Sequence, residues 1–260
     1  MEEALQSVLD QSYEHVELIV VDDASTDGSQ KVIRDFLKKH SEIPIISIRE
    51  NVGNCAAFNQ GWRTSKGVFL IDLAADDVLL PERVEAGLKR LEETKAGVHF
   101  SDAQLIDERG DDLGRHNDRF SEPIPEGDLY MELVSRYLIC PSTMMFRRDV
   151  IDALGGYDES LAYEDFDFWV RSSREFDYAF SDEVLVQKRL LKNSHAGSQE
   201  KFRNDHQKST LKVCKKIRAM NRTKEEGRAL KRRCWHEIRQ CIKKGNLGLI
   251  PDYLSLVLHA

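Results

Sequence analysis

No apolar run in this 260-residue chain approaches the roughly 20 residues that span a bilayer, so no membrane-crossing helix is expected. Met1 is followed by Glu2-Glu3, whereas a secretory signal opens on a basic and then an apolar stretch. Cysteine is sparse: Cys55, Cys140, Cys214, Cys234 and Cys241 are odd in number, and no pair has zinc-ribbon or redox spacing. This usage points to buried thiols in a reducing, cytosolic compartment and to no disulfide. Also missing are a G-x-G-x-x-G turn after a strand, a P-loop, a G-x-S-x-G elbow and an H-E-x-x-H helix. Their absence argues against a dinucleotide fold, a Walker-type NTPase, a serine hydrolase of that class and a zincin.

What is present is a globular composition, with 41% hydrophobic and 32% charged residues, enough to build a core. The charge is divided along the chain. Residues 1–200 carry 22 Lys+Arg and 40 Asp+Glu, while residues 201–260 carry 16 and 5. An acidic body is a poor surface for nucleic acid and a good place for carboxylates that hold a cation. The basic tail suits an anionic membrane face or the acidic body itself.

Hydrophobic periodicity alternates. Glu2–Gln11 reads as an amphipathic helix, and Val16–Val21 as a strand buried on both faces and ended by Asp22-Asp23. A helix to about His40, a strand Ile45–Ile48, a helix Asn54–Ser65 and a strand Val68–Leu73 follow. Pro81 then opens a helix to about Glu93. The second half is mixed: strands at Val98–Ser101, Gln104–Asp107, Ser142–Phe146 and Val184–Arg189, and helices at Arg148–Leu154 and Phe166–Arg174. From about Gln199 the pattern is helical and basic. The alternation predicts an α/β fold with a mostly parallel, Rossmann-like sheet flanked by helices and a helical C-terminal appendage. The expected division is residues 1–198 and 199–260.

In such sheets ligands sit beyond the carboxyl ends of the strands. Two acidic pairs, Asp22-Asp23 and Asp76-Asp77, fall there. One such pair is most simply the end of a strand; two at matching ends favour a site. Magnesium takes one or two carboxylates and leaves its other positions to substrate phosphates. A third acidic group, Glu164-Asp165-Phe166-Asp167, stands at a helix start. There Asp165 is a cap, a general base, or both. His195, in Ser194–Ser198, is a solvated histidine or a ligand beside a carboxylate site.

Several of these segments, taken together, resemble family 2 glycosyltransferases of the GT-A fold. They are Ala4–Tyr13, Glu17–Gly28 (ELIVVDDASTDG), Glu50–Gly53, Phe69–Leu73 with Ala75-Asp76-Asp77, Leu80–Arg83, Gly155–Glu159, Glu164–Arg171 and His195–Ser198. The resemblance covers about residues 2–200. It implies inverting transfer of a sugar from a nucleotide diphosphate donor, chiefly a UDP- or dTDP-sugar. The acceptor would be a saccharide or a lipid-linked glycan of surface polysaccharide or glycolipid assembly. By the same resemblance Asp23 contacts the base, Asp22 supports its loop, Asn54 lies near the donor and Asp76 holds the ribose or sugar. Asp77 binds Mg²⁺ or Mn²⁺, His195 assists at the metal or diphosphate, and Asp165 takes the acceptor proton. A cytosolic place follows, with the tail resting on the inner membrane face or folded as a helical cap.

The chain departs from the family in two ways. The family opens with a strand and a Pro-Thr-Tyr-Asn-like loop before the first helix, and this chain starts inside that helix. Its absence predicts a gap between Val16–Val21 and Val68–Leu73, and a truncated chain is the expectation. Asp72 is also unusual, since it lies inside the strand. Two rival readings remain: a non-catalytic, degenerate sugar- or nucleotide-binding module, and a nucleotidyltransferase. The second lacks the Gly-rich basic loop that it needs.

Overall fold

The computed structural model describes residues 1–191 and 206–259. The chain opens with α1 (Glu2–Leu9), β1 (Val20–Asp23), α2 (Ser29–Leu37), β2 (Ile45–Ile48) and α3 (Asn54–Thr64). Next come β3 (Phe69–Leu70), β4 (Val78–Leu79), α4 (Arg83–Thr94), β5 (Val98–Ile106) and β6 (Asp112–Arg115). The second half holds α5 (Tyr130–Ser135), β7 (Met145–Arg147), α6 (Arg148–Leu154), α7 (Asp165–Ser172) and β8 (Tyr178–Arg189). Three helices close the chain: α8 (His206–Met220), α9 (Lys224–Lys244) and α10 (Ile250–His259).

Two sheets share the work. β1 and β2 pair in parallel, Val20 opposite Ile45. The larger sheet runs β3-β7-β5-β8-β4, with β6 added on β5. Its longest pairing, β5 with β8, is parallel, and the pairings of β3 with β7 and β4 with β8 are antiparallel. The architecture is thus a mixed α/β one. Among the described residues no strand lies between β1 and β3, and the two belong to separate sheets. α3 lies against β1, where a side chain at Gly61 would come within 3.1 Å of Val21.

Each sheet has its own core. Leu5, Val20, Ile33, Phe36 and Ile43 pack under the small sheet. A larger cluster joins β5, β7, α5 and α7 to the basic tail through Phe100, Phe146, Phe168, Cys214, Leu230 and Tyr253. The tail helices therefore cap the body and bury their apolar faces against α5 and α7. The start of α9 is well made: Thr223 accepts from Glu226 N at 3.2 Å, and the Glu226 carboxylate accepts from Thr223 N at 3.2 Å. The boundary expected at residue 198 falls outside the described residues.

All five cysteines are buried and unpaired, as their spacing predicts. Among the described residues no helix is long and apolar enough to cross a membrane.

Candidate functional site

Carboxylates stand at the end of β1, in the turn after β3 and at the start of α7, and the segment that opens α3 links the first of these to the last. At β1 the chain turns through Ala24, whose φ of 56° is unusual for a residue with a side chain. Asp22 is buried, and its Oδ1 accepts from Ser25 N at 3.0 Å. Asp23 accepts from Val52 N at 2.8 Å and from Gly53 N at 2.9 Å, while its carbonyl accepts from Asn51 Nδ2 at 3.0 Å. The pair thus shapes its own turn and pins the segment that leads into α3. Gly53, at φ 87°, supplies the left-handed step that this segment needs.

Asn54 opens α3 and donates through Nδ2 to Glu164 Oε2 at 2.7 Å. That bond ties the start of α3 to the start of α7. Asp165 is the first residue of α7, and its Oδ1 is buried without a hydrogen-bond partner among the described residues. Burial, then the adjacent Glu164 and then Asp72, push the Asp165 carboxyl well above the usual carboxylate range. Asp72, just past β3, is pushed up to about 7 by burial and by Glu164, against Tyr157 and Lys188. Tyr157 is 3% exposed, and its hydroxyl faces the Asp72 carboxyl. Its position is fixed by Asn59, which exchanges bonds of 2.9 Å with Tyr157 N and Tyr157 O. The negative field reaches Cys55 as well, whose thiol is raised to about 12 by burial and by Glu164.

The Asp76-Asp77 pair divides sharply. Asp77 is fully buried: Oδ2 accepts from Lys188 Nζ at 2.9 Å and from Ser142 Oγ, and Oδ1 accepts from Arg189 N at 2.9 Å. Three of its roughly four acceptor positions are taken within the protein, so Asp77, the cation ligand expected from the sequence, is the less open member of the pair. Asp76 is half-buried, and among the described residues no other residue donates to its side-chain oxygens. Burial, then Asp77, raise the Asp76 carboxyl. Its carbonyl is held by Arg189 Nε at 3.1 Å, which aims the turn.

The sequence-derived set is thus brought together in part. Asn54 and Asp165 meet through Glu164, Asp76 stands beside Asp77, and Asp22 and Asp23 support the loop before α3. His195 lies outside the described residues. Lys188 and Ser142 were not singled out by sequence; Glu164 was, as a neighbour of Asp165, and Tyr157 was noted there only as a member of the Gly155–Glu159 segment. Asp72 drew notice only as an acid out of place in a strand, which is the signal that marks it.

The donor set suits a hard cation shared with a ligand. Among the described residues no three His, Cys, Asp or Glu side chains converge into a closed metal site. Asp76 offers one open carboxylate, the number Mg²⁺ or Mn²⁺ needs when diphosphate oxygens and water complete the shell.

The family model described as glycosyl transferase family 2 matches residues 1–155. An uncharacterized glycosyltransferase of Rickettsia prowazekii, RP339, is 30% identical over 195 residues, which span 73% of this chain and 59% of that protein. The putative teichuronic acid biosynthesis glycosyltransferase TuaG of Bacillus subtilis is 27% identical, over 75% of each chain. In fold, the chain is similar to S. aureus TarS 1–349 in complex with UDP-GlcNAc, with TM-score 0.74 and 18% identity over 98% of this chain and 74% of that one. It is also similar to the mannosyltransferase PcManGT of Pyrobaculum calidifontis in complex with GDP-Man and Mn²⁺, with TM-score 0.65 and 16% identity over 98% and 69%. The fold is therefore that of the GT-A glycosyltransferases. The match spans 59% of the length of the Rickettsia relatives.

Proposed function

Because this chain belongs to glycosyl transferase family 2, we propose that it moves a sugar, with inversion, from a nucleotide diphosphate donor to an acceptor hydroxyl. The observation that carries the reading is Asp165. It is a carboxyl of raised proton affinity with an unpartnered oxygen, set at a helix start among Asp72, Glu164 and Tyr157.

In this reading the acceptor oxygen attacks the anomeric carbon while the bond to the diphosphate breaks. Asp165 takes the hydroxyl proton as that bond forms. Attack from the face opposite the leaving group inverts the centre. Asp22 and Asp23 hold the loop against which the nucleotide base rests. Asn54 acts through Glu164, fixing the carboxylate that raises the base. A bound Mg²⁺ or Mn²⁺ would neutralise charge on the departing diphosphate, and Asp76 is the residue that would hold it. Asp77 then serves to fix the turn on which Asp76 stands, and His195 remains assigned to the diphosphate side.

We assign UDP-sugars as the first donors to test, since a structural neighbour binds UDP-GlcNAc; another neighbour binds GDP-Man, so GDP-sugars come second. The acceptor class is a saccharide or lipid-linked glycan of surface polysaccharide synthesis, in line with the relative named for teichuronic acid biosynthesis. The exposed Arg228, Arg232, Trp235, Arg239 and Ile242 of α9 support contact with an anionic membrane face.

The test is calorimetric titration of UDP and then GDP into the chain, with Mn²⁺ or with EDTA, followed by assay of nucleoside diphosphate release from the matching sugars. Metal-dependent binding with turnover supports the reading. Binding without turnover for any sugar or acceptor favours the non-catalytic module.

A further inference from the structure

Behind α7, on the side where the tail helices pack, lies a concavity of about 260 Å³ lined by Arg119, Phe120, Arg136, Tyr137, Arg233 and His236. Its chemistry is cationic and under-neutralised. The Arg119 and Arg136 guanidinium carbons stand 4.6 and 5.5 Å from the same Phe120 ring centre. Arg136 Nε donates to Glu132 Oε2 at 2.9 Å, whereas Arg119 donates only to the Tyr137 carbonyl, at 3.1 Å, and has no carboxylate partner among the described residues.

Arg233 is 1% exposed and carries the strongest mark. Its guanidinium lies over Tyr137 and Phe166, at 4.1 and 4.6 Å from the ring centres. Nε donates to the Val134 carbonyl at 2.9 Å and Nη1 reaches Glu237 Oε1 at 3.3 Å. Nη2 has no hydrogen-bond partner among the described residues. A buried guanidinium nitrogen left without an acceptor costs free energy that an anion would recover. At the rim Arg232 Nη2 donates to Ser135 Oγ at 3.1 Å and adds one more positive charge. Three guanidiniums around the concavity thus face two carboxylates, Glu132 and Glu237, with a fourth guanidinium at the edge. His236 is pushed down by burial and by Arg233, against Glu237, which agrees with a surplus of positive charge there.

We propose that this concavity is a phosphate-binding subsite, held by Arg119, Arg136 and Arg233. Planar guanidinium donors on aromatic faces suit the oxygens of a phosphomonoester or phosphodiester. Phe166, which floors Arg233, directly follows Asp165, so the subsite lies behind the proposed base. If the transfer reading holds, the phosphate belongs to the acceptor. The phosphate site itself does not depend on that reading.

The experiment is an NMR titration of the arginine Nε–H resonances of the intact chain with inorganic phosphate and with glycerol 3-phosphate. A parallel arm measures co-sedimentation with vesicles of phosphatidylcholine, with and without phosphatidic acid. Saturable shifts are expected, and the double variant Arg119→Gln/Arg136→Gln should bind phosphate about tenfold more weakly or less. Lys31→Ala, which removes an exposed partner of Asp35, should leave affinity unchanged, and a matching thermal midpoint checks that each variant is folded. Binding of the soluble phosphates alone assigns a soluble phosphorylated ligand, and added binding to phosphatidic acid vesicles, lost in the double variant, assigns a lipid headgroup. No saturable shift at tens of millimolar phosphate, or equal affinity in the folded double variant, overturns the proposal. Because this readout uses no donor and no turnover, it fails separately from the transferase reading.

Discussion

Lys188 Nζ lies 2.9 Å from Asp77 Oδ2 across 111 residues of chain, and the carboxylate it neutralises is wholly buried. The pair welds the turn after β3 to the end of β8. Removing one member of such a pair leaves an uncompensated charge inside, which costs about 3–5 kcal/mol. Lys188→Met should therefore lower the denaturation midpoint strongly, and Lys188→Met/Asp77→Asn should recover part of the loss. Urea unfolding of the two variants checks this; equal stability of Lys188→Met and the parent would show that the pair is not the anchor of the turn.

Asp76 and Asp77 should separate in their effects. Asp76→Asn is expected to leave stability within about 0.5 kcal/mol, since a half-buried side chain with no other donor loses little. It should abolish the difference in UDP affinity between Mn²⁺ and EDTA. Asp77→Asn should instead lower the unfolding midpoint. Calorimetry for one and thermal unfolding for the other give the contrast. A full metal response in folded Asp76→Asn would move the cation elsewhere.

For Asp165→Asn the donor contacts stay in place and only the proton acceptor is lost. Nucleoside diphosphate release to acceptor should fall by about 10²–10⁴-fold, the span typical of a general base. Donor affinity should stay within about twofold. Turnover near that of the parent would remove Asp165 from the chemistry.

Local patterns were legible in the sequence and long-range ones were not. Ile45–Ile48 and Arg148–Leu154 were read to the residue, the latter because Gly155 ends the helix in the left-handed region at φ 70°. β8 begins six residues before the Val184 start read from the sequence, at Tyr178, because Asp182 and Glu183 interrupt the apolar run while the register with β5 shifts between Ser101 and Asp102. β3 is only Phe69–Leu70, for it pairs with Arg147 and Phe146 and with no strand on its other side among the described residues. The sequence marked Asp76-Asp77 as a pair at a strand end, and the structure gives its two members different surroundings. Which member stays open is decided by Ser142, Lys188 and Arg189, 65 to 112 residues away, and no spacing rule reaches that far.

Gly156 sits at φ 95°, and a Cβ there would meet Asn59 Oδ1 at 2.7 Å and the Trp62 ring at 3.0 Å. Asn59 is the clamp on Tyr157, so the close approach and the backbone strain act together. Gly156→Ala should cost at least about 1–3 kcal/mol. It should also shift Tyr157 away from Asp72 and Glu164, seen as a changed ultraviolet titration of that phenol against a Tyr157→Phe reference. A stable variant with the same titration would show that the turn relaxes without moving the ring.

Asp72 makes stability depend on pH in an unusual sense. Its carboxyl is raised from the ordinary 3.8 to about 7, so between those values the folded chain binds more protons than the unfolded one. The sign then follows. The favourable, protonated form is fully present below about pH 4, its contribution falls as pH rises, and it is gone above about pH 7. Asp72→Asn keeps the shape without the titrating proton. It should flatten the fall in unfolding free energy between pH 4 and 7 and make the chain more stable than the parent at pH 8, by at least about 1 kcal/mol. Asp165 shares the cluster and its carboxyl is raised too, so the parent slope includes its proton; the difference between parent and Asp72→Asn isolates the one. Urea midpoints taken at half-unit steps of pH decide the matter. Parallel curves for the two proteins would mean that Asp72 does not hold a proton in the folded chain between pH 4 and 7, and would remove it as the source of the slope.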